Sequence, residues 1–361
     1  MKILDWYILK RYLMTFLFTL LILIPIAVAI DIAEKIDKFL GNQNLTFFEV
    51  VNDYYKNFII YYANTFMPLA LFIAVIIFTS RLANNTEIVA INSSQISFTR
   101  FLYPYFLGAT MVAIVALLMN HFVVPNSSKV RKKFEKTYLK KKNHGDRSVR
   151  EFSLQLNDST YMFIQNYDLK RNTGYNFSTE IYEGIKLKSK LTADNLNWNE
   201  KDRTFKLLGW KKRKVFKNRD SIFAGSSLDT TFLFTPKDFA YKTIQAQEMQ
   251  SGELIDFIKI SKKRGVKNLN SYLVELYKRT SLPIASYILT LIAAVLGHRK
   301  RRGGIGLNLA LGISIMFIYV FFLKIAEVLG AVAGANPLLY VWIPNMAFGM
   351  LAIYLYVNAR R

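Results

Sequence analysis

"FLYPYFLGATMVAIVALLMNHFVV" fills residues 101–124 without one Asp, Glu, Lys or Arg. It has the length a helix needs to cross a bilayer, roughly 17–25 residues. On its N-terminal side stand two more such blocks, residues 12–30, with "LMTFLFTLLILIPIAVAI" at its heart, and residues 58–78. On the C-terminal side a long connection precedes three others, 282–297, 305–329 and 338–357. The 282–297 block reaches full length only if it begins near Tyr277. Six spans are therefore predicted, three on each side of a large insert.

Composition fits this reading. Of 361 residues 52% are apolar and 15% aromatic, yet Lys+Arg outnumber Asp+Glu 48 to 25, a net charge of +23. A nucleic-acid binder could carry that charge, but its apolar residues would not come in long unbroken blocks. The first block does not read as a cleaved signal: it is long, and charged "DIAEKIDKF" (31–39) follows where the small residues of a cleavage site would be. With no cysteine, neither a disulfide framework nor a thiolate metal site is available.

Lysine and arginine in the short loops set the orientation. Lys2, Lys10, Arg11, Arg81, Arg100, Arg299, Lys300, Arg301, Arg302, Arg360 and Arg361 fall on one side; Lys35, Lys38 and Lys56 fall on the other. Both termini are thus expected in the cytoplasm and the insert outside. "KVRKKFEKTYLKKK" (129–142) runs against this, but a connection as long as 125–275 is largely exempt from the charge rule.

That insert, residues 126–275, reads as a domain between spans 1–3 (1–125) and spans 4–6 (276–361). "TYMFIQNYDL" (160–169) and "GIKLKSKL" (184–191) alternate apolar and polar residues, the period of half-buried strands. "NDST", "KRNTG" and "NEKDR" punctuate them with turn chemistry. "DNLNWNEKDRTFKLLGWKKRKV" (194–215) reads as strand, turn, strand, with Trp198 and Trp210 near its ends. An all-β domain, open or sandwich-like, is expected over about 148–245. Residues 246–275 read as helical and lead back into span 4. The fold class is α+β: six membrane helices around an inserted β domain.

The chemistry of a nucleotide or hydrolase site is not legible. No G-x-x-x-x-G-K-[ST] occurs, and "GGIG" (303–306) lacks the lysine–hydroxyl pair that grips phosphates. His121, His144 and His298 are scattered, without H-E-x-x-H, and there is no G-x-S-x-G elbow. The chain does not read as an enzyme and is expected to hold no cofactor of its own; any ATP would be bound by a partner.

Between spans 2 and 3 lies "NNTEIVAINSSQIS" (84–97). Asn84, Asn85 and Thr86 are N-cap candidates, and Glu87 suits a helix N-terminus, where the dipole favours negative charge. Ile88, Val89, Ala90 and Ile91 offer an apolar side; Asn92, Ser93 and Gln95 offer a polar one. Small Ala90, Ser93 and Ser94 permit close approach by another surface. The residues alone leave two readings open, a surface helix that closes a loop or a coupling helix that docks on a cytoplasmic ATPase.

"NTEIVAINSSQISFTRFLYP" (85–104) resembles the coupling segment of the LptF/LptG (YjgP/YjgQ) permeases of the lipopolysaccharide export ABC transporter. Glu87, Ala90, Ser93, Ser94, Ile96, Ser97, Arg100 and Pro104 carry the match. Gln95 stands where the family has glycine, which predicts a helix that runs on where a turn is normal. "YKRTSLPIA" (277–285), with Tyr277, Arg279 and Pro283, resembles the start of the family's fourth span. "NPLLYVWIPNMAF" (336–348), with Pro337, Trp342, Pro344 and Asn345, resembles the start of its last. "KILDWYILKRYLMTF" (2–16) is similar too, so the resemblance runs in order along the whole chain.

The resemblance implies a bacterial inner-membrane subunit and a β-jellyroll-like periplasmic domain. Its partners would be a paralogous permease, two copies of a cytoplasmic ATPase and a periplasmic bridge component. It assigns ATPase coupling to Glu87, Ala90, Ile91 and Ser94. The lipid would enter a cavity bordered by spans 1 and 5 and pass to the β domain. Each buried CH₂ is worth about 0.8 kcal/mol, so acyl chains need an apolar trough where the bilayer ends. Tyr161, Phe163, Tyr167, Phe177 and Tyr182 could line one or form the sheet's own core; each alone reads first as core.

At the outer end of span 1, Asp31, Glu34, Lys35 and Lys38 share one helical face. Asp31–Lys35 and Glu34–Lys38 are i,i+4 pairs, worth about 0.2–0.5 kcal/mol each. Either the lysines neutralise their own acids and snorkel to headgroups, or Lys35 and Lys38 contact lipid phosphates, as the resemblance implies. Lys324 and Glu327 near the outer end of span 5 are a similar case. "KVRKKFEKTYLKKK" and "WKKRKVFKNR" read as solvated faces. The compact length and the acid–lysine stripe lean towards the LptG side of the family.

Two other functions compete. A membrane-anchored binding or sensor protein, its β domain capturing a periplasmic ligand, would purify without an ATPase. An ion-coupled transporter would carry ionisable residues at mid-span, which spans 2, 4 and 6 lack.

Overall fold

A computed structural model describes residues 3–42, 45–139, 148–200, 202–216, 219–232, 234–236, 239, 246–263, 266, 268–300 and 304–360. Lys2, His144, Arg301, Arg302, Gly303, Arg361 and the lysines at 140–142 and 217 lie outside the described residues, as do the side chains of Asn92 and Arg360. The chain divides into a helical unit (1–139, 246–254 and 270–361) and a β unit (140–245 and 255–269).

Among the described residues, the helical unit holds six helices long and apolar enough to cross a membrane. They are α1 (Ile3–Leu40), α2 (Phe47–Asn84), α4 (Phe98–Leu139), α6 (Asn270–His298), α7 (Gly304–Gly330) and α8 (Pro337–Arg360). A short helix, α3 (Glu87–Ser93), separates α2 from α4, and α5 (Ser251–Lys263) precedes α6. Span 4 thus begins seven residues before Tyr277. At about 1.5 Å per residue, α1 is far longer than a hydrocarbon core of roughly 30 Å, so its ends reach beyond it.

Five of the six spans carry an internal proline, at Pro25, Pro68, Pro104, Pro283 and Pro344. Neighbouring helices can re-satisfy the carbonyls that proline frees. One case is visible here. The Tyr12 hydroxyl on α1 donates to the carbonyls of Tyr105 (3.1 Å) and Pro104 (3.4 Å) on α4.

Packing is uneven. Of the most apolar window of each helix, 72% is buried in α2 and 61% in α6, against 11% in α1 and 17% in α7. The α2–α6 pair is the axis of the unit, closed through small residues: Ala70, Ala74, Ala285, Ala293 and Ala294 are all fully buried. Where lipid is the solvent, such close backbone approach takes the place of a hydrophobic driving force. Asn308–Ser80 (3.0 Å), Tyr319–Asn345 (2.8 Å) and Asn345 to the Ser281 carbonyl (2.9 Å) add buried hydrogen bonds between helices.

The bundle has two ends. Residues 3–12, α3 and His298–Lys300 meet at the near end, where Arg299 donates to the Asn358 carbonyl (3.0 Å) and Lys300 to that of Asn84 (3.5 Å). At the far end the ladders of α2 and α4 loosen into π-type turns over Val50–Tyr55, Met119–Val123 and Glu135–Leu139. Tyr54, Phe58 and Phe134 pack there as a separate aromatic core.

The β unit is one six-stranded antiparallel sheet. Its strands are β1 (Ser148–Asn157), β2 (Thr160–Asp168), β3 (Thr173–Glu183), β4 (Lys186–Asn199), β5 (Thr204–Val215) and β6 (Asp220–Thr230), paired in sequence order. Six spans in two threes around an inserted sheet is the predicted fold class. Among the described residues the strands run as an up-and-down meander, without a Greek-key crossover.

The three turn clusters fall at strand ends as expected. Asn157 Oδ1 accepts from the Ser159 amide (3.0 Å), and Asp168 Oδ1 from those of Lys170 (2.8 Å) and Arg171 (3.1 Å). One face of the sheet is covered by its own chain: Phe234 and Phe239 are fully buried, with Phe239 stacked on Tyr167 at 4.0 Å.

The sheet departs from simple alternation in one respect. Glu151, Gln165, Asn176, Asp194, Gly209 and Ser226 lie opposite one another across the six strands, and pairing is interrupted at that level. Glu151, Asn176 and Gly209 have positive φ, at 48°, 52° and 63°. The buried residues on either side are three apart rather than two: Ile164 and Tyr167, Gly174 and Phe177, Ala193 and Leu196. The pleat slips by one residue in each of these strands at the same height.

Candidate functional site

The 84–100 segment folds at the near end as predicted in place and differently in detail. α3 begins at Glu87. Thr86 precedes it with φ 62°, and its hydroxyl turns back to the Asn85 carbonyl (2.6 Å) instead of capping the helix. Asn85 reaches forward to Glu87 Oε1 (3.4 Å). The expected side-chain N-cap is therefore replaced by a tight left-handed turn.

At the other end, Gln95 takes φ 56°, so α3 stops at Ser93. The expectation that it runs on past Gln95 is not met. The turn forms in the left-handed region without glycine, a conformation that costs an L-residue roughly 1–2 kcal/mol.

α3 divides its apolar residues between two faces. Ile88 is buried in the bundle core and Ile91 packs against its edge. Val89 is 59% exposed, and Ala90, Ser93 and Ser94 are exposed with it. The serine hydroxyls fold back onto the helix, Ser93 to the Val89 carbonyl (2.9 Å) and Ser94 to that of Ala90 (3.0 Å). The result is a docked helix of about two turns presenting a small, nearly smooth, uncharged surface. The single apolar side read from the sequence is thus corrected: Ile88 and Ile91 face inward, Val89 and Ala90 outward.

Glu87 is half-buried and tied to α1, accepting from the Tyr7 hydroxyl at 3.1 Å. A second tie closes the same segment from its far side. Arg100, in the first turn of α4, grips Asp5 through Nη1 to Oδ1 (2.6 Å) and Nη2 to Oδ2 (2.7 Å). Two-pronged guanidinium–carboxylate pairs are among the strongest and most directional hydrogen-bonded contacts. Ser97 accepts from the Arg100 amide (3.3 Å) and so caps α4.

At the far end, the Asp31–Lys35 ion pair forms (2.5 Å). The Tyr54 hydroxyl bonds Lys35 as well and donates to Asp31 (3.1 Å), while Tyr55 adds a second bond to Asp31 (3.4 Å). Lys35 also stands over the Tyr54 ring, 5.0 Å from its centroid. The predicted Glu34–Lys38 pair does not form: Lys38 is exposed and in no ion pair among the described residues. Their carboxylate and ammonium project separately into solvent, where a pair gains little.

Lys324 meets Glu327 (3.0 Å), which also binds Lys278 (3.3 Å). Lys278 in turn reaches Glu275 (3.5 Å). No described hydrogen bond or ion pair links Lys324 to Lys35 or Lys38.

Arg279, in the sequence only a spacing match, is a buried hub. It donates to Ser251 Oγ (2.8 Å) and to the carbonyls of Ala246 (3.2 Å) and Met249 (2.8 Å). Ser251 also meets His121 Nδ1 (2.7 Å). The strand aromatics separate: Tyr167 and Phe177 are core, whereas Tyr161 and Phe163 lie exposed on the other face. Tyr182 donates to Glu180 (2.8 Å), whose carboxyl is held below its usual range first by the Lys190 ammonium that bonds it.

The family model described as "Lipopolysaccharide export system permease LptF/LptG" matches residues 6–358. The chain belongs to the LptF/LptG family. No individual curated protein matches it at a significant level. As an LptF/LptG member it is a multi-pass permease of the lipopolysaccharide export system, and its six apolar helices suit an inner membrane. Glu87, Ala90 and Ile91 lie on one short helix at the near end, with Ser94 in the turn that follows it, and the lysines lie at the far end.

Proposed function

We propose that this permease extracts lipopolysaccharide from the inner membrane with work supplied by a separate cytoplasmic ATPase that docks on α3. The observation that carries the reading is the construction of α3. Ile88 anchors it in the bundle, and Val89, Ala90, Ser93 and Ser94 are left as a close-approach surface outside it. Such a surface suits a groove on another protein: it is small, apolar at its centre and free of unpaired charge. The near end is then cytoplasmic, as the distribution of Lys and Arg supports, and the β unit is periplasmic.

A paralogous permease would complete the cavity. In support, α1 and α7 are the spans least covered by this chain, with Leu17, Phe18, Leu21, Phe317 and Phe321 among their exposed residues. Extracted lipid would then pass through the β unit to a periplasmic bridge component. Lys38 and Lys324 are the lysines assigned to lipid phosphates, a reading that their exposure supports. Lys35 is instead held by Asp31 and Tyr54 and shapes the site from behind.

The test is reconstitution of this chain, its partner permease and the ATPase in proteoliposomes containing lipopolysaccharide. Ala90→Arg, at an exposed position, should cut both ATP hydrolysis by the assembly and lipid extraction at least tenfold. Glu87→Lys should do the same. Wild-type rates in both variants would overturn the coupling role, and purification of the chain with no ATPase would favour a stand-alone ligand-binding protein.

A further inference from the structure

Lys300 on the Asn84 carbonyl and Thr99 on the Tyr356 hydroxyl tie the edges of the 84–100 segment to the C-terminal helices. Its two carboxylate ties both go to α1, reached across 80 residues from Glu87 to Tyr7 and 95 residues from Arg100 to Asp5. We propose that Asp5, Tyr7 and Arg100 form a clamp that conveys displacement of the α3 segment directly into the first span. The proposal rests on the coupling reading above and names the positioning residues through which that coupling reaches the lipid-facing side of the bundle.

The packing of α1 supports this path. Its buried residues are Asp5, Ile8, Leu9, Tyr12, Phe16 and Thr19, all on one face of its near half. Beyond Thr19 no residue of α1 is buried until Asp31, and Pro25 falls inside that stretch. A third fastening reinforces the near half: Tyr12 lies against Gly108 of α4, where a Cβ would overlap its hydroxyl. The near half is thus fixed to α3 and α4 together, and from Leu20 to Ile30 no side chain is buried before Asp31 ties the far end to α2.

α2 is joined to α3 by the chain itself, but with 72% of its apolar window buried it is the member least able to move alone. α1 joins the core through Ile8, Leu9, Tyr12 and Phe16, but its apolar window is only 11% buried, so the stretch beyond Thr19 is the part that can move without opening the core. The ties are also directional. The Asp5–Arg100 fork fixes the orientation of both groups, whereas greasy contact would slide. Asp5 is almost wholly buried, so a shift of Arg100 that left it behind would break both prongs of the fork where water does not reach. The pair therefore moves as one.

Because the natural chain has no cysteine, one introduced at Leu21→Cys can carry a nitroxide before assembly with the partner permease and ATPase. The assembly is then placed in proteoliposomes containing lipopolysaccharide, and ATP hydrolysis, lipid extracted and label mobility are read together. With the clamp intact, ATP should change the spectrum at position 21. In Asp5→Asn/Tyr7→Phe, hydrolysis should stay within about twofold of wild type, extraction per ATP should fall at least tenfold, and the ATP-dependent spectral change should vanish.

Unchanged extraction per ATP, or a label that still responds, overturns the clamp. Should that double variant fail to fold, Tyr7→Phe with Arg100→Lys is read by the same criteria, since Lys keeps the charge but not the fork. A wild-type assembly that hydrolyses no ATP brings down the coupling reading and the clamp with it. A coupled wild type beside equally coupled variants brings down the clamp alone.

Discussion

Two residues read alike in the sequence behave differently in the structure. Lys35 and Lys38 share a helical face, but Lys35 is enclosed by Asp31, Tyr54 and Tyr55 while Lys38 stands free of ion pairs among the described residues. Lys35→Ala should cost about 1–3 kcal/mol, because Asp31 stays buried with one partner lost. Lys38→Ala should leave stability within about 0.5 kcal/mol, as at most surface positions, and weaken retention of lipopolysaccharide. Thermal melts beside lipid-binding measurements on each purified variant separate the two; equal melts would refute the assignment. Gln95 is a further case. Its φ of 56° is paid in strain, so Gln95→Gly should raise stability by about 1 kcal/mol and keep ATP-driven extraction. A lower melting temperature would show that the side chain does something the backbone does not reveal.

At the scale of elements, the contact between α1 and α4 is the one to break. Gly108 faces Tyr12 with no room for a Cβ. Gly108→Leu should therefore separate the two helices and lower the yield of folded protein, while Tyr12→Leu in the same chain should restore part of it. Size-exclusion profiles in mild detergent decide the matter, and a Gly108→Leu profile like the wild type would refute it. The placement of α3 was legible beforehand, because turn residues, one acid and an apolar pair stand in the right order over 84–97. The ties that hold it were not: nothing in a spacing rule connects Asp5 to a residue 95 positions away. The hint was an acid in the first turn of α1, ahead of its long apolar stretch.

For the whole molecule, block length and composition were enough to give six spans and an inserted sheet, since bilayer thickness fixes one and turn chemistry the other. The facing of the strand aromatics was not readable. Period-two counting from Tyr161 puts Phe163 and Tyr167 on one face, yet Phe163 is exposed and Tyr167 is core. The slip at Gln165 lies between them, and it comes from backbone angles in neighbouring strands rather than from any local pattern.

That shared level works as a crease running the full width of the sheet. A fold line holds only when every panel shifts at the same height, so the six strands are bound to a common register above and below it. Deleting Gln165 would give β2 a plain alternation and put it out of step with its neighbours on both sides. The β unit should then lose its near-ultraviolet circular dichroism as a whole, with no partially ordered remnant; a deletion variant that keeps it would show that each strand bends on its own.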